Sequence, residues 1–370
     1  MKIGYEAKRY FHNYTGLGNY SRSLIHALAS YYPNNQYVLY NTKYNKEKKI
    51  AIPNAAIERL PGTFLSKKFS AIWRQKLISN QIKEDKIEVF HGLSGELPLG
   101  LKKHKIPSVV SIHDLIFMRF PEYYRFFDKQ IYFRKFKSSA ERANLVIAIS
   151  EQTKRDIVEF LKIPEEKIQV IYQGCAPQFK KKYTAEFKLE LRQKFNLPEN
   201  FLLYVGTIEE RKNLDNLIKA LPEIDLPLVV IGKKTAYFEQ VNNSIHHLGL
   251  QNKVIFPSYM NDEELAAVYQ MASVFIYPSL FEGFGIPIIE ALYSRTPVVT
   301  SNSGCFPEAG GPNSMYVNPE KPDEIANGIL QILQNKEKAD LMKTKGYEYA
   351  QNFNDQSFAE KWIKCYKSIL

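Results

Sequence analysis

The chain has 370 residues, of which 45% are hydrophobic and 24% charged, proportions typical of a soluble globular protein with room for two domains. No apolar run reaches the roughly 18 residues of a membrane span, and we expect no signal peptide in the opening M-K-I-G-Y-E-A-K-R-Y. The cysteines Cys175, Cys305 and Cys365 lack metal-ligand spacing, so we expect reduced thiols in a cytoplasmic protein.

Positive charge is concentrated in the first half of the chain. Residues 1–182 hold 32 lysines and arginines against 16 acids, whereas the remaining residues hold 18 against 23. Such an excess suits nucleic acid, an anionic membrane surface or a phosphorylated substrate. Nucleic acid is the weakest of the three, because neither a zinc-ligand set nor an RNA-binding aromatic signature accompanies the charge. The contrast between the halves indicates two domains with different partners.

Short β-rich runs alternate with helical patterns through the first half. Strands are predicted at 1–7, 37–40, 89–91, 109–112, 145–149 and 168–172. The first strand runs into T-G-L-G-N-Y-S, Thr15 to Ser21, read as a glycine loop ahead of a helix. A strand, a glycine loop and a helix together favour an anion. The motif lacks the third glycine of a dinucleotide fingerprint, so a plain tight turn is the alternative.

Two histidines stand at predicted strand ends. His91 closes one strand, and His113, with Asp114 behind it, follows the next. Polar residues at the carboxyl ends of parallel strands line the ligand crevice of doubly wound sheets. Either ring could instead be a buried, satisfied core side chain. His113 is the better site candidate of the two.

Two segments combine aromatic with basic residues. Leu60 to Leu77 reads L-P-G-T-F-L-S-K-K-F-S-A-I-W-R-Q-K-L, and residues 117–136 read F-M-R-F-P-E-Y-Y-R-F-F-D-K-Q-I-Y-F-R-K-F. The first can lie on a membrane surface, and the second can face a membrane or an acceptor. For each, a helix packed on the sheet with a solvated basic face is the alternative.

The alternation restarts after Pro177 to Tyr183, a segment predicted to link two domains. Further strands are predicted at 201–205, 228–231, 254–256, 272–277 and 297–300. Because strands alternate with helices in both halves, we predict an α/β fold of two doubly wound, Rossmann-like domains facing across a cleft. The predicted domains are residues 1–182 and 183–355.

The stretch Pro278 to Leu292, P-S-L-F-E-G-F-G-I-P-I-I-E-A-L, predicts a turn between a strand and a helix. Pro287 suits the first turn of a helix, where a missing N–H costs nothing. The N-terminus of that helix favours an anion such as phosphate. Carboxylates do not bind phosphate, so Glu282 in the turn and Glu290 in the helix are interpreted as acceptors for hydroxyl groups. Phosphate beside a polyol indicates a nucleotide sugar.

Arg211 and Lys212 directly follow a strand of the second half. Adjacent cations there can clamp a diphosphate, arginine in a bidentate manner and lysine as a point charge, although a solvated pair is the simpler alternative. No D-x-D cluster near a strand end predicts a metal. We therefore expect these cations and the helix N-terminus to stabilise a leaving diphosphate without one.

At this point the sequence resembles a known family. E-G-F-G-I-P-I-I-E is similar to the E-x7-E element of the retaining family-four (group 1) glycosyltransferases of the GT-B fold. Other blocks resemble that family in the same order: T-G-L-G, H-D, A-I-S-E-Q-T, Q-G, V-G-T-I-E-E-R-K-N, F-P-S-Y and S-N-S-G-C-F-P-E-A-G-G. The resemblance spans nearly the whole chain. It is greatest to bacterial mannosyltransferase-type members that build surface polysaccharides.

The resemblance implies roles for residues of the second half. Glu282 would bind hydroxyls of the donor sugar, and Glu290 those of the ribose, while Arg211 and Lys212 would hold the diphosphate. The remaining implied donor contacts are Phe284, Gly285 and Ile286 through their amides, and Gly232 and Tyr259 near the base. Two positions depart from the family pattern. Thr207 stands where many members have arginine, and A-G-G follows Glu308 where members often have an acid.

For the first half, the resemblance implies that His113 contacts the donor sugar. It also implies that Gly16 and Gly18 let the backbone approach the phosphate and the acceptor. The last helix of the family crosses back to the first domain, so residues 356–370, with Trp362 and Tyr366, are expected to pack there.

The function implied is retaining, metal-independent transfer of a hexose from a GDP- or UDP-sugar, with mannose and GDP-mannose expected. Its acceptor would be an oligosaccharide or a polyprenyl-diphosphate-linked glycan in surface polysaccharide or lipopolysaccharide biosynthesis. No cofactor is expected besides the nucleotide-sugar substrate. The enzyme would be cytoplasmic, with peripheral contact to the inner face of the membrane as a further expectation. The alternatives are another GT-B enzyme, an epimerase or a phosphorylase, and a catalytically silent nucleotide-sugar-binding protein.

Overall fold

A computed structural model describes residues 1–44, 50–62 and 72–370. The chain divides into two compact units. Unit 1 holds Met1–Gly174 and Asn354–Leu370, and unit 2 holds Cys175–Phe353. Each unit is built on a β-sheet in which every strand pairing is parallel. The predicted pair of Rossmann-like α/β domains is confirmed.

Unit 1 has a seven-stranded sheet with the order β3-β2-β1-β4-β5-β6-β7. Its strands are β1 (Lys2–Glu6), β2 (Gln36–Tyr40), β3 (Ala56–Arg59), β4 (Val89–Gly92), β5 (Ser108–Ile112), β6 (Leu145–Ala148) and β7 (Ile168–Val170). Its described α-helices are α1 (Lys8–His12), α2 (Gly16–Tyr31), α3 (Ile78–Glu84), α4 (Ile116–Arg119), α5 (Phe126–Arg142), α6 (Glu151–Asp156) and the last helix of the chain, α15 (Asp355–Lys367). Shorter helical turns lie at Trp73–Leu77, Pro121–Tyr123, Ile157–Leu161 and Glu165–Lys167.

Unit 2 has a six-stranded sheet with the order β10-β9-β8-β11-β12-β13. Its strands are β8 (Leu202–Val205), β9 (Leu228–Ile231), β10 (Val254–Ile255), β11 (Val274–Tyr277), β12 (Val298–Ser301) and β13 (Met315–Val317). Its α-helices are α7 (Ala185–Phe195), α8 (Leu214–Ala220), α9 (Phe238–His247), α10 (Asp262–Tyr269), α11 (Ile286–Tyr293), α12 (Phe306–Gly310), α13 (Pro322–Leu333) and α14 (Lys336–Ala350). Shorter helical turns lie at Pro177–Lys180, Glu210–Lys212, Leu221–Glu223 and Gln351–Phe353.

The sheet of unit 1 has a hydrophobic core on each face. Successive side chains of a strand point to opposite faces. Accordingly Ile3 and Tyr5 belong to one buried cluster, while Val38 and Tyr40 of the neighbouring strand belong to the other. Parallel strands need helices on both faces, so their sequences are almost continuously apolar. This arrangement leaves the carboxyl ends of the strands as the edge where polar side chains collect.

The C-terminal helix α15 packs in unit 1 against α2. Trp362 and Tyr366 on this helix are fully buried. The Trp362 ring lies 4.6 Å from the ring of His91, and the Tyr366 hydroxyl is 2.9 Å from His91 Nδ1. His91 Nε2 lies 2.9 Å from Ser111 Oγ. His91 is therefore a satisfied core side chain that fastens the end of the chain to the first sheet.

Two local predictions are wrong. The segment Thr15 to Ser21 is not a loop, because α2 already begins at Gly16. Asn13 Oδ1 accepts hydrogen bonds from the Thr15 and Gly18 amides, which lets the helix begin this early. The linker predicted at Pro177 to Tyr183 contains a helical turn packed in unit 2, where the Phe179 ring lies 5.5 Å from that of Tyr269. The two units accordingly divide between Gly174 and Cys175.

Of the two basic aromatic segments, Leu60 to Leu77 falls in part outside the described residues, which omit 63–71. In its described part Trp73 is buried while Ile72 and Leu77 are exposed. Residues 117–136 form most of α4, the turn Pro121–Tyr123 and the first half of α5. Within the described ranges, none of the helices combines the length and apolar character that crossing a bilayer requires.

We expect Trp362→Ala to lower the free energy of unfolding by about 3–5 kcal/mol, because it empties a fully buried site. Urea unfolding followed by circular dichroism measures the change. Leu341→Ala, at an exposed position of α14, is the matched control and should stay within about 0.5 kcal/mol of the wild type. Equal stability of the Trp362 variant and the wild type would show that α15 does not hold unit 1 together.

Candidate functional site

The element Pro278 to Leu292 folds as a turn between β11 and α11. Gly285 precedes the first helical residue with φ of +114°, a backbone conformation that residues with a Cβ rarely adopt. Ile286 and Pro287 open the helix, and a proline in the first turn loses no hydrogen bond there. The glycine therefore sets the angle at which the turn meets the helix.

The carboxylate of Glu282 is surrounded by donors. Arg211 Nη1 lies 2.8 Å from Glu282 Oε1, and Lys212 Nζ forms an ion pair with the same oxygen. The hydroxyls of Tyr277 and Ser279 donate to it as well, at 3.1 and 3.0 Å. All these contacts fall on Oε1. Only 13–14% of each of the three charged side chains is exposed, so the cluster is screened poorly by solvent.

Backbone contacts hold the cation pair beside this turn. Strands β8 and β11 are neighbours, so the loops after them leave the same edge of the sheet. Leu280 N donates to Arg211 O at 2.8 Å. Asn213 Nδ2 donates to Pro278 O at 3.0 Å and to Pro319 O at 2.6 Å. These hydrogen bonds, and not only the charges of Arg211 and Lys212, therefore fix the position of the two cations.

Electrostatics keep Glu282 ionised. Burial by itself would raise its pKa, but the charges of Lys212 and Arg211 outweigh burial and lower the pKa to about 2. Arg211 also pairs with Glu209, whose Oε1 lies 2.6 Å from Nη2. Burial opposes the charge on Arg211, yet Glu282 and Glu209 raise its pKa above the usual value. At neutral pH the site holds a charged carboxylate and two cations.

Glu290, in α11, has its pKa shifted in the opposite direction to that of Glu282. Burial raises its pKa to about 7, Asp262 adds to the rise, and the hydrogen bond from Tyr269 opposes it. The Tyr269 hydroxyl donates to Glu290 Oε2 at 3.1 Å. This carboxyl group is half-buried and titrates near neutral pH, so its capacity to accept hydrogen bonds depends on pH.

The other positions singled out in unit 2 lie in different surroundings. Phe284 is buried with its ring 5.7 Å from that of Phe353, directly before Gly285 and Ile286. A Cβ on Gly232 would stand 1.8 Å from Gly206 O, so glycine there lets β8 and β9 approach closely. Tyr259 is 87% exposed.

In unit 1 the two glycines of T-G-L-G, Gly16 and Gly18, have different surroundings. Both lie in the first turn of α2. A Cβ on Gly18 would stand 1.8 Å from Asn13 O, so packing alone requires that glycine. Among the described residues, no atom lies within 4 Å of a Cβ placed on Gly16, so the space beside this glycine is open there.

His113 follows β5 and is held in one tautomer. Its Nε2 lies 2.8 Å from Leu93 O, a carbonyl that can only accept, so Nε2 carries the proton. Nδ1 is then an acceptor, with Gln173 Nε2 at 3.4 Å. Burial lowers the pKa of His113 to about 4; the Leu93 bond opposes this and Arg9 adds to it. The ring is therefore neutral at pH 7 and can accept a hydrogen bond but cannot act as an acid.

Several residues of the cluster were not anticipated from the sequence. They are Glu209, Asn213, Tyr269, Tyr277, Ser279 and Cys305, whose Sγ lies 3.2 Å from Glu282 O. Glu209 and Asn213 lie close to the two cations in I-E-E-R-K-N, and this proximity in sequence could have indicated that they belong to the site. In the described part of the chain, no group of three or more His, Cys, Asp or Glu side chains could hold a metal ion.

Two protein-family models match the chain, one in each half. "Glycosyltransferase Family 4" matches residues 14–179, and "Glycosyl transferases group 1" matches residues 187–349. Among curated proteins, the chain is 25% identical over 391 residues to "O-antigen chain mannosyltransferase B" of Escherichia coli, and the match covers 100% of both chains.

Solved structures share the fold. A sucrose-phosphate synthase from Thermosynechococcus elongatus superposes with a TM-score of 0.81 at 21% identity, covering 100% of this chain and 98% of that one. Anabaena Alr3699/HepE, solved in complex with UDP and glucose, superposes with a TM-score of 0.75 at 19% identity, covering 100% of both. Each likeness spans both units of the chain.

We expect Glu282→Gln to lower stability in a pH-dependent way. The folded pKa of about 2 lies below the ordinary value of 4.5, so the ionised carboxylate stabilises the fold above about pH 4.5, and this contribution is lost as the pH falls towards 2. The loss should be on the order of 3 kcal/mol at neutral pH and should shrink towards about pH 3. Urea unfolding across pH measures it, with exposed Glu199→Gln as control. A pH-independent difference would contradict the ion-pair assignment.

Proposed function

Because the chain belongs to the family-four (group 1) glycosyltransferases and has their GT-B fold, we propose that it transfers mannose from GDP-mannose to a growing surface glycan. The acceptor is an oligosaccharide or a polyprenyl-diphosphate-linked glycan. The donor binds in unit 2, and transfer proceeds with retention and without a metal. The relative matched over its full length is named as an O-antigen mannosyltransferase, which supports this choice of sugar and product.

The observation that carries the proposal is the ion cluster of Glu282, Arg211 and Lys212. Arg211 and Lys212 lie together beside the buried Glu282, while the second acid, Glu209, is 39% exposed, so a diphosphate can take the place of Glu209 beside the cations. Arg211 and Lys212 bind that diphosphate and stabilise its departure, which is the work a metal ion does elsewhere. The hydrogen bonds from the Asn213 side-chain amide to Pro278 O and from Leu280 N to Arg211 O hold the cations in place before substrate arrives.

Glu282 and Glu290 bind different hydroxyl groups of the donor. The donors around Glu282 all bond Oε1, which directs Oε2 to the hydroxyls of the sugar. Glu290 accepts from the ribose. The amides of Phe284, Gly285 and Ile286, at the start of α11, lie against the sugar and its phosphate. Gly232 and Tyr259 lie near the base.

In unit 1, His113 accepts a hydrogen bond from a hydroxyl of the substrate sugar through Nδ1, in place of the 3.4 Å hydrogen bond from Gln173. The neutral ring suits that task, because Nε2 already donates to Leu93. Gly16 and Gly18 let the backbone approach the phosphate and the acceptor, and the space beside Gly16 is open as far as the described residues go. The enzyme works at the cytoplasmic side of a membrane.

The anomeric configuration of the sugar is proposed to be retained because the acceptor attacks the same face of the sugar from which the diphosphate departs. The acceptor oxygen forms the new bond to the anomeric carbon as the bond to the diphosphate oxygen breaks, and the acceptor proton passes to that diphosphate oxygen. No carboxylate then needs to form a bond to the sugar. A covalent glycosyl-enzyme trapped on an aspartate or glutamate would contradict this mechanism.

The donor is tested by thermal shift with GDP, UDP, GDP-mannose and UDP-glucose, each with and without EDTA. A ligand that binds only the native state raises the melting temperature by mass action. We expect GDP and GDP-mannose to raise it most, unaffected by EDTA. A UDP preference would overturn the choice of donor, and a shift abolished by EDTA would overturn metal independence. Binding of GDP-mannose without release of GDP, with any acceptor, would indicate a silent binding protein.

We expect Glu290→Ala to weaken GDP binding about ten- to a hundredfold, the worth of a charge-assisted hydrogen bond. Because the pKa of Glu290 is about 7, wild-type affinity should rise about tenfold between about pH 6 and pH 8, as the carboxylate forms. Glu290→Gln should lack this rise. Any pH dependence of GDP affinity that remains in this variant comes from groups other than Glu290, including the nucleotide itself. Calorimetry across pH measures both effects, with exposed Glu199→Ala as control. Unchanged GDP affinity in Glu290→Ala would contradict the ribose assignment.

His113→Ala is expected to lower turnover roughly ten- to a hundredfold while changing donor affinity little, because it removes one acceptor that orients the sugar. Since the pKa of His113 is about 4, the variant should keep the shape of the wild-type pH–rate profile between about pH 6 and pH 8. Steady-state kinetics with calorimetry separates turnover from binding. His247→Ala, at an exposed position of α9, is the control. A variant that loses donor affinity but keeps its turnover would contradict this role.

A further inference from the structure

Helix α12 of unit 2 lies against the turn Glu282 to Gly285. The Sγ atom of Cys305, directly before the helix, is 3.2 Å from Glu282 O. A Cβ on Gly285 would stand 3.4 Å from the Cβ of Ala309, near the end of α12, so the helix and the turn are in close contact. A movement of α12 would therefore be felt by the backbone that carries the Glu282 carboxylate.

Two tyrosine hydroxyls hold the end of α12. The Tyr349 hydroxyl, on α14, donates to Glu308 O at 2.7 Å. The Tyr316 hydroxyl, on β13, donates to the carbonyl oxygen of Gly311, the residue that directly follows α12. The last carbonyl groups of a helix have no partner within it, so donors from elsewhere in the fold satisfy them. The two tyrosines thereby fix where α12 ends.

The ring of Tyr349 reaches the same turn by a second route. It lies 5.6 Å from the ring of Phe353, and that ring lies 5.7 Å from the ring of Phe284. Phe284 is buried and belongs to the turn itself. Tyr349 is thus linked to the turn through its hydroxyl and α12, and again through one intervening aromatic ring.

Two glycines make room for the tyrosines. A Cβ on Gly310 would stand 2.7 Å from the Tyr316 hydroxyl oxygen, and a Cβ on Gly311 would stand 2.5 Å from the Tyr349 ring. Gly311 also has φ of +66°, which favours glycine. The A-G-G that departs from the family pattern therefore has a structural reason. We call Tyr316, Tyr349, Gly310 and Gly311 the tyrosine anchor.

We propose that the tyrosine anchor positions the turn Glu282 to Gly285 for the sugar of the donor, with Tyr349 as a positioning residue. Tyr349 acts through α12 and Phe353, and not by contact with substrate. A misplacement of about 1 Å in a site can lower its rate about a hundredfold, so a turn that meets sugar hydroxyls needs such support. The proposal rests on the proposed function in one respect, the assignment of Glu282 to the sugar.

The test is Tyr349→Phe, which removes the hydroxyl and keeps the ring. Calorimetry measures the affinities for GDP-mannose and for GDP. We expect the affinity for GDP-mannose to fall about tenfold, the worth of one hydrogen bond, while that for GDP stays within about threefold of the wild type. The reason is that GDP lacks the sugar that Glu282 binds. An equal loss for both ligands, or no loss for either, would overturn the positioning role.

Tyr347→Phe is the matched control. Tyr347 lies on the same helix, but its ring meets Tyr293, at 6.2 Å, and the guanidinium of Arg295, at 4.0 Å. This variant should bind both ligands like the wild type. Tyr316→Phe removes the other hydroxyl of the anchor and should reproduce the selective loss of GDP-mannose affinity. A Tyr316 variant that binds like the control would overturn the joint role of the two tyrosines.

A second measurement needs no ligand. Cys175, Cys305 and Cys365 are all buried, so each reacts with iodoacetamide only when its surroundings open. In Tyr349→Phe we expect labelling of Cys305, followed by mass spectrometry, to be about tenfold faster. Labelling of Cys175, in the same unit, and of Cys365 should be unchanged. Equal acceleration at all three would indicate a general loss of stability and overturn the anchor.

The two measurements separate this proposal from the proposed function. If the wild type binds UDP-glucose and not GDP-mannose, the choice of donor is wrong, and the comparison is made between UDP-glucose and UDP. A wild type that binds none of these ligands would overturn the proposed function and, with it, the positioning of a sugar. Normal wild-type binding with an unselective loss in Tyr349→Phe would overturn the positioning role alone.

Discussion

The carboxylate of Glu282, held between Arg211 and Lys212, organises the candidate site in unit 2. A buried carboxylate without partners would be protonated, and two adjacent buried cations without an anion would repel each other. Each member therefore requires the others. The cluster also joins the loop after β8 to the loop after β11, because Arg211 contributes both its charge and its backbone carbonyl. Everything proposed for the donor diphosphate depends on this arrangement existing before substrate binds.

Three titratable groups at strand ends and at α11 are set to different states at neutral pH. Glu282 is ionised because cations outweigh burial, burial raises the pKa of Glu290 to about 7, and His113 is neutral because burial lowers its pKa to about 4. The environments follow from the fold rather than from residue type, since two glutamates eight positions apart have opposite shifts. Within unit 2, a fixed negative charge at Glu282 and a titrating acceptor at Glu290 are suited to different hydroxyl groups.

Unit 1 shows how one sheet supports both a core and an outward surface. Helix α15 closes one face of its sheet through Trp362 and Tyr366, which reach the buried His91. On the other face, α5 packs through Phe133, Phe136 and Ala140, while Phe126 and Phe127 in its first turn are exposed.

Much of this protein follows from local sequence. The alternation of short apolar runs with helical patterns predicts two parallel-sheet domains, because strand and helix periods are local properties of the chain. The turn Glu282 to Gly285 is equally local, since a positive φ at Gly285 calls for glycine. Neighbouring positions also bring Arg211 and Lys212 to the end of β8. Each of these features needs only residues a few positions apart.

Tertiary structure decided which distant residues became partners. Lys212 and Arg211 meet a carboxylate about 70 positions away because β8 and β11 lie side by side. The hydrogen bonds of Glu290 with Tyr269 and of Asn213 with Pro319 likewise join separate elements of unit 2. The helical turn at Pro177–Lys180 also packs on a distant residue, Tyr269. The sequence alone determined the periodic elements and the residue types at their ends. Only the fold decided their partners, burial and charge, because these depend on neighbours that the chain brings together from far apart.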